Sequence, residues 1–162
     1  MLGVPTRVMM VCLGNICRSP MAAAILDNRA RRMGADIVVS SAGTADYHVG
    51  QGPNEMSLQV WRDAGYVYEH TASQFTAERF DDADLILVMD PSNHRNVMRL
   101  SRGPQDAAKV AYLRSFDPGL ADRVGDPAAL TVPDPWGMPR AEFEAVRRMI
   151  ESAVDGLLTS LT

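Results

Sequence analysis

The sequence predicts an α/β fold in a single domain covering residues 1–162, with a central four-stranded parallel sheet flanked by helices. Two observations support this fold. Short apolar runs of strand length alternate with longer segments of helical pattern, and 162 residues is a typical length for one domain. In such sheets, ligands bind beyond the carboxyl ends of the strands. We therefore expect the functional site at the turn after the first strand.

Each of the four expected strands is a short run rich in aliphatic residues or Met, as is typical of strands buried on both faces. The clearest is LILVM, which carries five apolar residues in succession. The strands are expected at residues 7–11, 37–40, 85–89 and 110–113.

Helices are expected between the strands and at the C-terminus. The first, residues 20–33, has Pro20 in its first turn and Gly34 as its stop. The last, residues 140–158, carries an apolar stripe formed by Phe143, Val146, Ile150, Val154 and Leu157. The other helical segments are residues 54–64, 92–101 and a short turn at 76–82. Residues 115–139 contain five of the ten prolines, which predicts a long surface loop.

Composition argues against several classes of function. Sixteen Lys and Arg residues against twenty Asp and Glu give a formal charge of −4, which disfavours nucleic acid as a partner. No apolar run reaches the ~18 residues of a membrane span, and no signal-peptide pattern opens the chain. Two cysteines do not make a disulfide framework. We expect a cytoplasmic protein without membrane contact, while export without a signal peptide stays open.

The segment VCLGNICRSP joins the first strand to the first helix and is suited to bind an anion. Such a turn directs backbone N–H groups and the positive end of a helix toward one point. Gly14 lets the backbone come close, and Asn15 tolerates a left-handed conformation. Arg18 offers a planar fork to phosphate oxygens. The same positive surroundings favour the thiolate of Cys12, which is a nucleophile, and Ser19 could donate a hydrogen bond to it.

An isolated cysteine at a strand end is more often a small buried hydrophobic residue than a nucleophile. Here, however, five residues separate Cys12 from Arg18 across a strand–loop–helix turn. Ser19 and Pro20 follow directly. This combination favours a nucleophile that attacks a bound phosphate.

The segment CLGNICRSP, with a strand before it and an Ala-rich helix after it, resembles the signature of the low-molecular-weight protein tyrosine phosphatases, and bacterial members most closely. A distant segment, VPDPWG, resembles the Asp-Pro-aromatic loop of that family. Four more matches, in family order, extend the resemblance over nearly the whole chain: SAGT at 41–44, HTASQ at 70–74, MDPSN at 89–93 and RSFDP at 114–118. The resemblance implies hydrolysis of phosphotyrosine in proteins through a phosphocysteine, with release of inorganic phosphate. Neither a metal nor a cofactor is expected.

The resemblance also implies a role for individual residues. Cys12 is the nucleophile, Arg18 clamps the phosphate, and Asp134 protonates the leaving phenol and then activates water. Spacing alone does not choose among the three Asp-Pro pairs at Asp117, Asp126 and Asp134, whereas the family match selects the last. Besides Cys12 and Arg18, the phosphate-binding loop (residues 12–19) comprises Leu13, Gly14, Asn15, Ile16, Cys17 and Ser19. Its expected supports are Ser41 and His70.

Aromatic side chains are expected to form the walls of the substrate pocket. Tyr47 and His48 match the position where the family places an aromatic residue beside the phosphotyrosine ring, and Trp136 would face it. Stacked aromatic rings favour a phenyl phosphate over a short alkyl phosphate. Cys17 matches a second cysteine that can form a reversible disulfide with Cys12 and so protect it from over-oxidation. The alternative for Cys17 is a packed residue without a redox role.

The chain departs from the family pattern at two places. Many members have two tyrosines after Asp-Pro that can be phosphorylated, but Trp136 and Gly137 stand here, so that regulation is not carried over. The Arg common after His70 is replaced by Ser73. Asp90 is expected to be structural. A solvated acidic face is expected at Asp81, Asp82 and Asp84.

Four other functions are less consistent with the residues. Arsenate reductases of this fold relay a disulfide through additional cysteines, and this chain has none beyond Cys12 and Cys17. Protein-arginine phosphatases carry Thr where Ile16 stands, and Ile leaves a wider apolar rim that suits an aromatic ring. A phosphotyrosine-binding module without activity would normally lack the Cys or the Asp. A thioredoxin-like protein separates its cysteines by two residues, whereas four separate them here.

Overall fold

The four predicted strands form one parallel sheet in the computed structural model, which describes residues 3–162. The order across the sheet is β2-β1-β3-β4. The strands are β1 (Thr6–Cys12), β2 (Ile37–Gly43), β3 (Leu85–Val88) and β4 (Val110–Tyr112). Helices flank the sheet, and the predicted fold class, a single α/β domain, is confirmed.

Strand β1 occupies the centre and positions the turn that follows it. It pairs with β2 up to the partners Cys12 and Gly43 and with β3 up to Val11 and Val88. All of these pairs are parallel, so the carboxyl ends of the three strands meet at one edge of the sheet. Gly43 is required there because a Cβ at this position would lie 2.7 Å from the Leu13 carbonyl oxygen.

The two faces of the sheet are covered by different helices. These are α1 (Arg18–Arg32), α2 (Glu55–Asp63), α3 (Pro91–Arg99), α4 (Pro104–Ala107) and α5 (Arg140–Leu161). On one face, residues of α1, α2 and α5 share a core with Val8 and Met10 of β1. On the other face, Met9 and Val11 pack with α3 and a 3₁₀ turn at Ala77–Asp82. The sheet is therefore buried on both sides, as its apolar strands require.

Strand β2 runs three residues beyond its predicted end at residue 40, and three other segments also differ from the prediction. The expected loop 115–139 begins with two 3₁₀ turns, Leu113–Phe116 and Pro118–Arg123, and the first of these takes Leu113 from the predicted fourth strand. The Asp117 side chain accepts a hydrogen bond from the Gly119 N–H at 2.9 Å and so starts the second turn. Helix α4 was not predicted, since four residues show no period. Short 3₁₀ and α turns carry too few residues for a hydrophobic pattern.

The acidic residues before β3 are exposed as predicted, but they do not form a purely solvated face. Each of the three forms an ion pair with an arginine, namely Asp81 with Arg102, Asp82 with Arg79 and Asp84 with Arg7. Within residues 3–162, no helix has both the length and the apolar character to cross a bilayer.

Candidate active site

The turn between β1 and α1 brings a thiol and a guanidinium to the same point. Cys12 is the last residue of β1 and Arg18 is the first of α1, and each is only 3% exposed. Cys12 Sγ lies 3.0 Å from Ser19 Oγ. Because helix α1 begins at Arg18, its free N–H groups and its positive end lie beside Cys12. This is the geometry that the anion-binding prediction requires.

Asn15 holds the phosphate-binding loop in shape from its centre. It is completely buried and has a φ of 57°, the left-handed conformation that Asn tolerates. Its Nδ2 donates to Ser19 Oγ at 2.7 Å and to Ser41 Oγ at 3.0 Å. Since Ser19 Oγ accepts this bond, its own proton is free to point at Cys12 Sγ. The network thus supplies a hydrogen-bond donor to the sulfur.

His70 supports the same loop from outside. Its Nε2 lies 2.6 Å from the Asn15 carbonyl oxygen, which can only accept, so Nε2 carries the proton. The Nδ1 atom of the neutral ring then accepts from Ser41 Oγ, at 3.5 Å. Burial lowers the pKa of His70 and outweighs the opposing effect of the Asn15 carbonyl. The supporting histidine is therefore neutral near pH 7, and the structure places Ser41 and His70 where sequence reasoning expected them.

Ser73 also belongs to this network. Its N–H donates to Asn15 Oδ1 at 3.0 Å, and its hydroxyl donates to the Ser41 carbonyl at 3.2 Å. Arg79 reaches the same hydroxyl with Nη1 at 3.2 Å. A guanidinium from six residues further along the chain therefore still borders the loop. Sequence reasoning had no signal for this contact.

The Arg18 guanidinium is fixed by groups on two other segments. Nη1 donates to Asp90 Oδ2 at 2.7 Å and to the Val132 carbonyl at 2.9 Å. Burial alone would lower the pKa of Arg18, but Cys12, Asp90 and Asp134 nearby raise it overall. The guanidinium therefore stays charged and keeps one orientation.

Asp90 is structural, as predicted, but it also belongs to the site. Its Oδ1 caps helix α3 by accepting from the Asn93 N–H at 2.8 Å, while Oδ2 holds Arg18. Sequence reasoning missed the second contact. The signal was available, because Asp90 follows β3 at the carboxyl edge of the sheet, where ligands bind.

Asp134 lies at the mouth of the site on the loop of residues 132–137, called here the Asp134 loop. Its Oδ2 is 3.8 Å from Arg18 Nη2, and its Oδ1 accepts from the Trp136 N–H at 3.1 Å. The other two Asp-Pro aspartates are engaged elsewhere, Asp117 at a turn and Asp126 with Arg123. Of the three candidates, the structure brings Asp134 to Cys12 and Arg18.

The Asp134 loop is tied down just before the aspartate. The Val132 N–H donates to the Met89 carbonyl at 2.7 Å, directly after β3. Arg114 donates from Nη1 to the Thr131 carbonyl at 2.9 Å. These anchors and the bond from Arg18 to Val132 fix the entry to the loop, whereas its tip is exposed.

Above the phosphate-binding loop is a pocket of about 240 Å³, slightly below the ~300 Å³ at which most small-molecule sites begin. Its aromatic members are Tyr47, His48 and Trp136, and their role as walls for a substrate ring stays a prediction. The other lining residues are Cys12, Leu13, Gly14, Ile16, Cys17, Arg18 and Asp134. Tyr47 and Trp136 are 69% and 64% exposed, so their rings form an open rim. A Cβ on Gly14 would lie 3.1 Å from the His48 ring, and this close approach explains the glycine.

The two cysteines differ in their surroundings. Both are free, and both line the pocket. Burial raises the pKa of Cys17 to about 12, with Asp134 and Cys12 adding to the effect. Cys17 is therefore a neutral thiol near pH 7. Among the residues that the structure describes, none makes a hydrogen bond to its sulfur like that from Ser19 to Cys12. Its redox role stays a prediction.

The sequence profile of a family described as "Low molecular weight phosphotyrosine protein phosphatase" matches residues 7–162. A low molecular weight protein-tyrosine-phosphatase of Streptomyces coelicolor is 42% identical over 157 residues, which are 96% of this chain and 93% of the relative. Low molecular weight protein-tyrosine phosphatase A of Mycobacterium tuberculosis is 41% identical over 155 residues, covering 94% and 90%.

Solved structures agree with the sequence comparisons. The crystal structure of YfkJ from Bacillus subtilis has a TM-score of 0.84 and 32% identity, covering 98% of this chain and 95% of that one. A protein tyrosine phosphatase from Entamoeba histolytica, with Hepes in its active site, has a TM-score of 0.86 and 26% identity, covering 96% of each chain. The fold and site thus define a hydrolase of the phosphatase class. The chain belongs to the low-molecular-weight protein tyrosine phosphatase family.

Proposed function

We propose that this phosphatase hydrolyses phosphotyrosine in proteins through a phosphocysteine intermediate. Cys12 is the nucleophile, Arg18 the phosphate clamp and Asp134 the general acid and base. The observation that carries the proposal is that these three side chains, from three separate parts of the chain, line one pocket. The names of the relatives, which describe protein-tyrosine phosphatases, support the substrate class.

The phosphate binds first, at the helix end. Backbone N–H groups of the phosphate-binding loop and the positive end of α1 attract the dianion. The guanidinium of Arg18 donates to two of its oxygens, because its Nη1 is already oriented by Asp90 and Val132. Phosphate binding displaces the 3.8 Å contact between Arg18 and Asp134. Asp134 is then free to turn toward the leaving oxygen.

In the first chemical step, the Cys12 thiolate attacks phosphorus. A bond forms between sulfur and phosphorus, and the bond from phosphorus to the phenolic oxygen breaks. Asp134 donates its proton to that oxygen, so that tyrosine leaves as a neutral phenol. Arg18 and the loop N–H groups stabilise the charge on the transferred phosphoryl group, the task that a metal ion performs in other phosphatases.

In the second step, water hydrolyses the phosphocysteine. Asp134, now a carboxylate, accepts a proton from the water as its oxygen attacks phosphorus. The bond from sulfur to phosphorus breaks and inorganic phosphate is released. Ser19 donates to the departing sulfur from 3.0 Å, which stabilises the thiolate and returns the enzyme to its starting state.

The test is hydrolysis of a phosphotyrosine peptide in the presence of EDTA. We expect the wild type to be active, Cys12→Ser to be inactive and Asp134→Ala to lose roughly 10²–10⁴-fold in kcat. Asp126→Ala is the matched control, because it removes an exposed Asp-Pro carboxylate outside the pocket, and it should keep wild-type activity.

Phosphoserine and phosphoarginine substrates are measured beside the phosphotyrosine peptide. Phosphoarginine hydrolysed faster than phosphotyrosine would keep the mechanism and overturn the substrate class. Tight phosphopeptide binding without turnover of any substrate would overturn the catalytic proposal and leave a binding module.

A further inference from the structure

A second concavity, of about 610 Å³, adjoins the active-site pocket. The two share Leu13 and Tyr47 on their common rim. From there the concavity, called here the α3 groove, runs to the last turn of α3. It ends at Asn96, Arg99 and Leu100, which lie on one helix face at spacings of three and four residues.

The α3 groove has an apolar surface that no segment within residues 3–162 covers. Leu13 and Leu100 are 38% and 37% exposed, and the buried Phe75 also borders the groove. Apart from the shared rim at Leu13 and Tyr47, the mechanism proposed above uses no part of this surface, since a phosphotyrosine ring occupies the pocket itself. A substrate protein, however, continues on both sides of its phosphotyrosine. The substrate polypeptide therefore leaves the pocket over its rim, and the rim at Leu13 and Tyr47 opens into the α3 groove.

The charged side chains of the α3 groove differ between its two ends. Asp46 precedes Tyr47 in sequence and therefore lies at the end beside the pocket. Arg99 belongs to α3, which contributes no residue to the pocket. The hydrogen bond that the Arg99 guanidinium makes within residues 3–162 is to Asn96, at 3.1 Å, so its charge is not paired with a carboxylate there. The groove is thus negative near the pocket and positive at its far end.

We propose that the α3 groove binds the substrate chain on one side of the phosphotyrosine. The inference rests on the function proposed above. An apolar side chain of the substrate packs on Leu13, and an acidic side chain several residues from the phosphotyrosine pairs with Arg99. Asp46 disfavours an acidic side chain immediately beside the phosphotyrosine. The occupant is therefore an extended substrate segment with an acidic side chain at a distance from the phosphotyrosine, and Arg99 determines sequence preference without touching the reacting phosphate.

The test uses phosphotyrosine peptides in which one Glu is moved along an otherwise neutral Ala/Gly background, up to about five residues on either side. We expect kcat/KM to rise at distant positions on one side only, through KM rather than kcat. In Arg99→Glu this preference falls by roughly three- to tenfold. It also weakens toward ~0.5 M salt, where exposed charges are screened. Phenyl phosphate, which is too short to enter the groove, reports on the pocket separately.

Arg95→Glu is the matched control. It makes the same charge change one helical turn earlier on α3, at an exposed residue outside the groove, and should keep the wild-type preference. Equal effects of both variants, or no dependence on Glu position, would overturn the inference. Dimerisation in sedimentation velocity that Arg99→Glu abolishes would also overturn it, by assigning the groove to a second copy of the chain.

Binding measurements distinguish a failure of the proposed catalytic function from a failure of the groove proposal. The affinities of the same peptides are measured with Cys12→Ser, which does not turn them over. If the wild type hydrolyses no phosphotyrosine, the catalytic proposal fails, and the dependence of these affinities on Glu position and on Arg99 still decides whether the groove binds the peptide.

Discussion

The phosphate-binding loop and the aromatic rim line one pocket and are built in opposite ways. In the loop, Asn15 is completely buried, Arg18 is 3% exposed and both make several short hydrogen bonds. At the rim, Tyr47 and Trp136 expose about two thirds of their surface. The loop, which we propose binds phosphate, is preorganised, whereas the rim, which we propose meets the tyrosine ring, is open to solvent.

This difference assigns different tasks to the two sides. Electrostatic stabilisation of a transferring phosphoryl group depends on dipoles that are already in place, so the loop can lose little of its order without losing rate. Exposed aromatic rings contribute contact area and need less precise placement. Changes in the loop should therefore act on kcat and on stability, and changes at the rim on KM.

The largest effect that would test this comparison is expected for Arg18→Lys. A lysine keeps the positive charge but cannot bind Asp90 and Val132 while also donating two parallel bonds to phosphate. We expect kcat/KM for a phosphotyrosine peptide to fall roughly 10²–10³-fold, as on losing one preorganised donor. Steady-state kinetics measure it. Activity within about threefold of the wild type would show that charge alone suffices and that the fork geometry is not needed.

Asn15→Ala tests the order of the loop itself. The change removes the hydrogen bonds to Ser19, Ser41 and the Ser73 N–H. It also leaves an alanine in the left-handed conformation, at φ 57°, with no side-chain hydrogen bond to stabilise it. We expect a loss of about 2–3 kcal/mol in the free energy of unfolding, which lowers Tm by roughly 5–10 °C. kcat should fall by about 10–10² through misplacement of catalytic groups.

Asn15→Gly separates the two causes, because Gly accepts a positive φ and lacks the same hydrogen bonds. Both variants should lose similar kcat, while the glycine variant keeps more stability. If Asn15→Gly had wild-type kcat, the hydrogen bonds would have no part in catalysis and the backbone conformation alone would matter.

Local patterns in the sequence predicted the sheet, the turn at Cys12 and Arg18 and the left-handed Asn15. Each of these depends on residues close together in the chain. The position of Asp134 could not be obtained in this way, because it depends on two long-range hydrogen bonds. One joins Val132 to Met89, and the other joins Val132 to Arg18, which is 114 residues from Val132 in the sequence. Spacing left three aspartates open, and only the family resemblance chose one.

Long-range contacts also explain what was missed. The second role of Asp90 and the bond from Arg79 to Ser73 depend on how β3 and the 3₁₀ turn before it pack, and no local pattern encodes this packing. The groove beside the pocket likewise combines residues from four distant segments. The sequence motif named the groups that we propose react, whereas it named only some of the residues that contact and position them.

At the rim, Trp136→Ala should have a smaller effect. The ring is 64% exposed, and its removal leaves the Asp134 loop anchored through Val132. We expect KM for a phosphotyrosine peptide to rise by roughly three- to tenfold, the value of one aromatic contact, with kcat and Tm close to wild type. Kinetics with an aryl and a short alkyl phosphate measure it. Equal losses on both substrates would show that Trp136 does not select the ring.

The smallest effect, a change in the pH dependence of stability, is expected at His70, which contacts the phosphate-binding loop through the Asn15 carbonyl. Burial lowers the pKa of this histidine in the folded protein, whereas the unfolded chain takes up the proton near the ordinary value of ~6.5. Between that value and the lower folded pKa, the unfolded state binds more protons, so stability falls as the pH falls through this window. Below the folded pKa both states are protonated and the loss is complete.

His70→Gln keeps a donor for the Asn15 carbonyl and removes the titration, so the decline of Tm from pH 7.5 to pH 5 should be shallower than in the wild type. His48→Gln, on the rim, is the control and should retain the wild-type decline. If Tm of His70→Gln declined with falling pH as steeply as in the wild type, protonation of His70 would not explain the loss of stability in acid. Other titrating groups would then cause it.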